Sequence, residues 1–395
     1  MSVFETSVQV FLKPILKFLQ DDSVTEVMIN GPDCIFIERK GFVEKTDVKF
    51  EDANALLAAV RNIAQFVGRP IDDERPFLDA RLPDGSRVHA VVPPIARNGT
   101  TVAIRKFSKT KLQLKDLIDK GALTPDAARF LDVCLYLKKH IIVSGGTGSG
   151  KTTILGILAS RCMPDQRILV LEDSAELKIH NQHVVFMEAR PADEFGKGLV
   201  TLRDLVKSSL RMRPDRVIVG EVRGGEAMDL ISSMNTGHSG SMGTVHSNNP
   251  KECLTRLETL AMMTENEVPV QAVRSQVASA INIMIQLSRI SDGSRKVTHI
   301  SEGLGMDLQG NYITNDVYLF EQTGRDKDGK IIGAINPTGN LPSFMREIEV
   351  NHLPFPREMF KKRVAPYSSG NASAPGQTTP PAAENKDGKK PGEAA

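Results

Sequence analysis

The octapeptide GGTGSGKT, Gly145 to Thr152, constrains the fold of this chain more than any other stretch. It matches the pattern G-x-x-x-x-G-K-[ST] in full. Glycines let backbone N–H groups turn inward onto phosphate oxygens without a Cβ in the way. A helix that follows adds its positive N-terminal end. Lys151 is placed to reach β- and γ-phosphates, and the Thr152 hydroxyl to ligate Mg²⁺. The candidate nucleotide-binding set is Gly145, Gly146, Thr147, Gly148, Ser149, Gly150, Lys151, Thr152 and Thr153. At ordinary glycine usage, a chance match in a chain of this length arises about once in a hundred.

The flanks agree with that pattern. HIIVSG leads in as an apolar strand, and a helical pattern runs out from Lys151. Strand and helix then alternate: RILVLED, VTLRDLVKSSLRMR with Leu202, Leu205, Val206 and Leu210 on one face, RVIVG, and EAMDLISSMNTG ending at Gly237. Such alternation predicts a parallel sheet covered by helices. Residues 1–107 read instead as an α+β unit. VMI and CIFIE are strands joined through NGPD, EDANALLAAVRNIAQFVGRP is a helix, ARL–PDGS–RVHAVV is a hairpin, and TVAIRKF is a further strand. The expected division is an N-terminal domain over 1–107, a linker over 108–121, and the strand–helix domain over 122–320. A small appendage over 321–363 and a disordered Pro/Ser/Ala-rich tail over 364–395 complete it.

Acids and histidines stand where strands end. Glu172 and Asp173 close RILVLED, the edge at which open α/β sheets bind ligands. There they either cap a turn or position water and metal, and the nearby phosphate loop favours the second. RVIVG ends in Gly220, where a metal-binding aspartate is expected, and Glu221 follows. GHSGSMGTVHSNNP carries His238 and His246. TVH reads as a strand end, so His246 is the better candidate for sensing a γ-phosphate. Arginines cluster as Arg87, Arg97 and Arg105 in the first unit, and as Arg203, Arg211, Arg213, Arg216 and Arg223 in the second. An arginine that neutralises transition-state charge is worth about 10³ to 10⁵ in rate. Arg87 and Arg105 are the better candidates, since their strands belong to the unit that must cover the nucleotide.

Composition removes several classes. The net charge is +2 over 395 residues, with no basic groove pattern, so no nucleic-acid partner is expected. The four cysteines, Cys34, Cys134, Cys162 and Cys253, form no CxxC pair, which argues against zinc and fits a reducing compartment. The stretch MSVFETSVQVFLKP lacks the charged n-region and cleavage site of a signal peptide, and no apolar run approaches about 20 residues. A cytoplasmic protein is expected.

Taken together, these stretches resemble the ATPase superfamily of type II and type IV secretion and type IV pili, with its VirB11-, PilT- and GspE-like branches. VTEVMINGPD, DARLPDGSRVHAVVPP, TVAIRKF, LRMRPDRVIVGEVRGGEAMDL and MNTGHSGSMGTVHSNNP are most similar to the CpaF-type ATPase of Tad (Flp) pili, over about residues 20–320. The resemblance implies an N-terminal α+β (PAS-like) domain followed by a RecA-like P-loop NTPase domain with a central, mostly parallel sheet. It implies a homo-hexamer that uses ATP and Mg²⁺, peripheral to the inner membrane face, with platform proteins and, through them, pilin as partners. It makes Glu172 and Asp173 the aspartate box, with Glu172 beside Thr152 at the metal. Glu221 becomes the atypical Walker B acid and His246 part of the histidine box. Arg87, Arg97 and Arg105 become nucleotide contacts, with Arg211 or Arg213 reaching across a subunit boundary. The missing four-cysteine zinc module points to the Tad and VirB11-like branches, and the segment before the first strand is shorter than is usual for CpaF-type proteins. Rival readings are a VirB11-like secretion or conjugation ATPase, a RecA-like nucleic-acid motor, and a scaffold that binds nucleotide without turnover.

Overall fold

The computed structural model describes residues 10–39, 41–107, 112–193, 195–264 and 268–362. The expected tail, and residues 108–111 of the expected linker, lie outside the described residues.

Two β-sheets carry the chain. The first has six antiparallel strands: β1 (Val24–Asn30), β2 (Ile35–Arg39), β3 (Phe42–Lys45), β4 (Phe77–Arg81), β5 (Arg87–Val91) and β6 (Thr101–Arg105), in the order β3-β2-β1-β6-β5-β4. Helix α1 (Leu16–Gln20) precedes it, and α2 (Ala53–Phe66) packs on one face. The Asp52 side chain caps α2 by accepting from the Ala55 N–H at 2.7 Å, and Gly68 at φ +67° follows its end. Leu56, Val60 and Ile63 of α2 share a core with Ile29, Ile37, Val88 and Ile104. Strand alternation does the rest. Val88 and Ala90 turn into that core, as do Val102 and Ile104, so Arg87 and Arg105 share the opposite face. They are direct cross-strand neighbours.

The second sheet has nine strands in the order β15-β14-β13-β12-β7-β11-β10-β8-β9. Six run parallel: β7 (Ile141–Gly145), β8 (Ile168–Glu172), β9 (Val184–Glu188), β10 (Arg216–Val219), β11 (Met242–Val245) and β12 (Ile283–Arg289). An antiparallel meander, β13 (Arg295–Met306), β14 (Tyr312–Arg325) and β15 (Ile331–Pro337), extends one edge. Helices lie on both faces. Ile141 and Val143 join the core of α4 (Pro125–Tyr136) and α5 (Lys151–Ser160). Ile142 joins the core of α6 (Leu202–Ser209), α7 (Glu226–Asn235), α8 (Pro250–Ala261) and α9 (Val270–Ala280). Burial on both faces is why these strands read as unbroken apolar runs.

Two segments show more order than their polarity suggests. Within 108–121, a short helix α3 (Leu114–Asp119) forms behind a Gln113–Asp116 capping box, with Leu114 and Leu117 buried. Residues 321–337 continue the large sheet through β14 and β15. Beyond them lies α10 (Met345–Val350), and Phe344, Phe355 and Phe360 pack around Phe130 of α4 at centroid distances of 6.1, 5.9 and 5.6 Å. The aromatic side chains tie this segment to the core shared with α4 and α5.

Candidate nucleotide site at the carboxyl edge of the large sheet

Parallel strands place all their carboxyl ends along one edge, and open α/β sheets bind ligands there. That edge gathers the ends of β7, β8, β10 and β11, which carry Gly145, Glu172, Gly220 with Glu221, and His246.

Strand β7 turns through Gly145 at φ +155° into the glycine loop, and α5 begins at Lys151 after Gly150 at φ +99°. A Cβ on Gly145 would sit 2.5 Å from the Leu287 carbonyl oxygen and 2.7 Å from Ser149 Oγ, so only glycine fits. The Lys151 ammonium folds over its own loop, donating to the carbonyls of Gly145 at 3.0 Å and Gly146 at 3.1 Å. Its side chain is buried, and that burial holds its pKa below the usual lysine value.

The two strand-end glutamates differ in environment. Glu172 is buried, and its Oε1 accepts from the N–H groups of Glu176 and Leu177, both at 2.9 Å. Burial raises its carboxyl above the usual range, and the two N–H donors only partly oppose this. Glu221 pairs with Arg223 at 2.6 Å and faces His246 Nε2 at 3.8 Å. Burial pushes its carboxyl upward too, but Arg223, Lys151 and His246 outweigh that and hold it below the ordinary value. His246 is lowered by burial and then by Lys151, and its Nε2 lies 3.5 Å from Thr147 Oγ1.

Gly220 is explained by its neighbour. The register pairs Leu171 of β8 with Val219 of β10, which brings Glu172 beside Gly220. A Cβ on Gly220 would come 2.8 Å from Glu172 Cγ. The space an aspartate would need is filled by the Glu172 side chain.

The first sheet faces this edge with its arginines. Arg87 and Arg105 lie 3.2 and 3.7 Å from Glu176, and Arg81 binds Glu188 at 3.0 Å and donates to Ser174 and the Ala175 carbonyl. Between the sheets lies a cavity of about 220 Å³. It is lined by Thr147 and Lys151–Thr153 from the loop and helix, by Glu172, Asp173, Glu221 and His246, and by Arg87 and Arg105. A second cavity of about 390 Å³ shares Arg87, Arg105, Thr152, Thr153 and Glu176, and adds Phe107, Leu112 and Leu114 as apolar walls.

Thus Glu172, Asp173, Glu221, His246, Arg87 and Arg105 come together with the glycine loop. Arg97 does not. It is exposed in the β5–β6 connection, beyond the far ends of strands whose near ends carry Arg87 and Arg105, more than about 13 Å along. Arg211 and Arg213 are exposed ahead of β10, and His238 lies ahead of β11, at the amino edge of the sheet. The small residues after His238 have a packing reason instead. Fully buried Arg216 donates to Gln166 Oε1 at 2.7 Å and to the carbonyls of Gly240 at 2.9 Å and Leu135 at 2.6 Å. A Cβ on Gly240 would collide with its guanidinium. Sequence reasoning missed Glu176, Glu188 and Arg81, and it counted Arg223 only as one of a cluster.

The oxygen donors suit Mg²⁺, which takes one or two protein ligands and fills its shell with phosphate and water. The Thr152 hydroxyl and the Glu172 and Glu221 carboxylates line one cavity. Among the described residues no group of three or more His, Cys, Asp or Glu is arranged to hold a metal by itself. No helix among them is long and apolar enough to cross a membrane.

Fold and site define a mixed α/β protein with a strand–glycine loop–helix unit at the carboxyl edge of its large sheet, faced by a second sheet. The chain belongs to the type II/IV secretion system protein family, whose model matches residues 9–324. It is similar to a putative conjugal transfer protein of Mycobacterium tuberculosis (strain ATCC 25618 / H37Rv), at 36% identity over 296 residues, 73% of this chain and 83% of the relative. It is also similar to the type IV secretion system protein VirB11 of Brucella suis biovar 1 (strain 1330), at 33% identity over 324 residues, 75% of this chain and 89% of that protein. Its fold resembles that of the ATPase DotB from Yersinia pseudotuberculosis (TM-score 0.54, 18% identity, 76% of this chain and 79% of the other). DotB from Legionella pneumophila is comparable (TM-score 0.52, 21% identity, 76% and 82%).

Proposed function

We propose that this chain is a motor ATPase that binds ATP with Mg²⁺ between its two sheets and couples hydrolysis to work on a secretion or pilus machine. One observation carries the reading. A glycine loop with Lys151 and Thr152, two strand-end glutamates, His246 and two arginines from the opposite sheet line a single cavity. Phosphoryl transfer asks for that set: amide and ammonium donors for the phosphates, a group to orient water, and cations for the developing charge. The neighbouring cavity, with its Phe107, Leu112 and Leu114 walls, suits the base and sugar.

The oppositely shifted glutamates suggest separate roles. Glu172, expected at the metal from the resemblance, has a carboxyl raised by burial and suits instead polarising the attacking water. Glu221, held ionised beside Lys151 and Arg223, suits the metal side with Thr152. Bound Mg²⁺ would neutralise charge on the phosphate oxygens. His246, lining the same cavity, suits sensing the γ-phosphate, and Arg87 and Arg105 suit neutralising the transition state.

The finer reading is a RecA-like motor, hexameric, of the CpaF type that serves Tad pili, acting with inner-membrane platform proteins. The motif set of Arg213–Asp229 and Gly237–Pro250 supports it. Arg211 and Arg213 lie at the edge of the sheet away from their own cleft, so a nucleotide contact from them requires a neighbouring copy. A VirB11-like secretion or conjugation role is the second reading, favoured by the names of the similar proteins. Deleting the gene separates the two through loss of pili or loss of transfer.

Phosphate release by the purified full chain tests the central claim. Lys151→Ala should abolish productive nucleotide binding. Glu221→Gln should keep ATP binding while slowing turnover by about 10²-fold or more. Wild-type turnover in both variants would sink the assignment.

A further inference from the structure

One acid at the cleft has no part in the mechanism above. Glu176 stands four residues after Glu172, and its Oε1 faces Arg87 Nη1 at 3.2 Å and Arg105 Nη1 at 3.7 Å. A single oxygen therefore pairs with two arginines of the opposite sheet, hydrogen-bonded to Arg87 and within ion-pair distance of Arg105. The Glu176 main chain is fixed, because its N–H donates to Glu172 Oε1 at 2.9 Å. Its side chain is a quarter exposed, at 24%, so solvent reaches the ion pair. Glu176 also borders both cavities, together with Arg87, Arg105, Thr152 and Thr153.

We propose that Glu176 is a positioning residue that restrains the preference of the cleft for a nucleoside triphosphate over a diphosphate. It holds Arg87 and Arg105 until a γ-phosphate takes them from it. This inference rests on the nucleotide-binding reading given above. A terminal phosphate outcompetes a carboxylate because it offers three acceptor oxygens, more negative charge and bidentate geometry to a guanidinium. A diphosphate ends one phosphate group short, so the arginines keep their carboxylate partner. Triphosphate binding must break the Arg–Glu contacts, and diphosphate binding need not. Glu176 thus lowers triphosphate affinity while keeping Arg87 and Arg105 paired until a γ-phosphate arrives.

The test is calorimetric titration of the full chain with ATPγS and with ADP, each with Mg²⁺. Partly exposed ion pairs are weak, so Glu176→Gln should tighten ATPγS binding by about 3- to 10-fold and leave ADP within about two-fold. Glu176→Ala should shift the ratio in the same direction. With Arg87 and Arg105 both changed to alanine, adding Glu176→Gln should move neither affinity. A merely structural role would change both nucleotides alike. Equal changes, an unaltered ratio, or the same ratio shift without the arginines would each overturn the proposal. Wild-type protein that binds neither nucleotide would overturn the cleft reading as well. Wild-type protein that binds both, with an unaltered ratio in Glu176→Gln, would overturn only this inference.

Discussion

Gly220→Ala is the sharpest probe of how the strand-end acids are arranged. The new methyl carbon would lie 2.8 Å from Glu172 Cγ and 3.3 Å from its Oε1. Carbon–carbon contacts settle at about 3.5–4.0 Å, so Glu172 must retreat by roughly 1 Å. It has little freedom to do so, because Oε1 is held by two N–H groups at 2.9 Å. Overpacking of this kind costs about 1–3 kcal/mol. A stability loss of that size lowers the melting temperature by roughly 2–10 °C in a chain with domains of this length. A displacement of about 1 Å at a base also costs on the order of 10²-fold in turnover. Nucleotide affinity should hold within a few-fold, since Lys151 and the glycine loop are untouched. Glu172→Ala removes the Cγ that collides, so adding Gly220→Ala to that background should cost almost no further stability. The assay is a double-mutant thermal-melt cycle, with kcat measured beside nucleotide affinity for the single variant. An equal melting loss in both backgrounds, or a wild-type kcat in Gly220→Ala, would refute the packing account.

Arg105→Ala should lower kcat far more than it weakens ATP binding, seen as a fall in kcat with a nearly constant affinity. Phe360→Ala removes a fully buried ring from an aromatic cluster, with Phe355 at 5.0 Å and Phe130 at 5.6 Å, and should cost about 3–5 kcal/mol in denaturant unfolding. His140 is buried, with a ring Nδ1 that finds no hydrogen-bond partner among the described residues, and burial lowers its pKa from 6.5 to about 4. The unfolded chain then binds more protons than the folded one between those values. His140 therefore contributes stability above pH 6.5 that is lost as pH falls through about 4. Melting curves across that window should fall less steeply for His140→Gln than for wild type.

The large sheet was legible because burial on both faces writes itself as runs such as HIIVSG and RVIVG, and because the glycine loop has one structural context. The partly hidden pieces were those whose apolar residues are sparse. Leu114 and Leu117 lie in a polar stretch yet form a capped, buried turn of helix. The segment with Phe344, Phe355 and Phe360 has no helical or strand period, and it is held by Phe130 from 214 to 230 positions away, a contact no local pattern encodes. The candidate site divides in the same way. Glu172, Glu221 and His246 could be found because each ends a recognisable strand, and parallel strands must end together. Arg87 and Arg105 could be found because RVHAVV and TVAIRKF read as strands of the unit that must cover the nucleotide. Arg97 has the same residue type and lies in the same hairpin, but it sits past the far ends of the strands, which register decides and composition does not. Glu176 was invisible for a further reason. Its partners come from the opposite sheet, so its significance depends on how the two sheets meet. Gly220 teaches the converse: a position read as lacking an expected aspartate is filled, and what fills it is the glutamate of the adjacent strand.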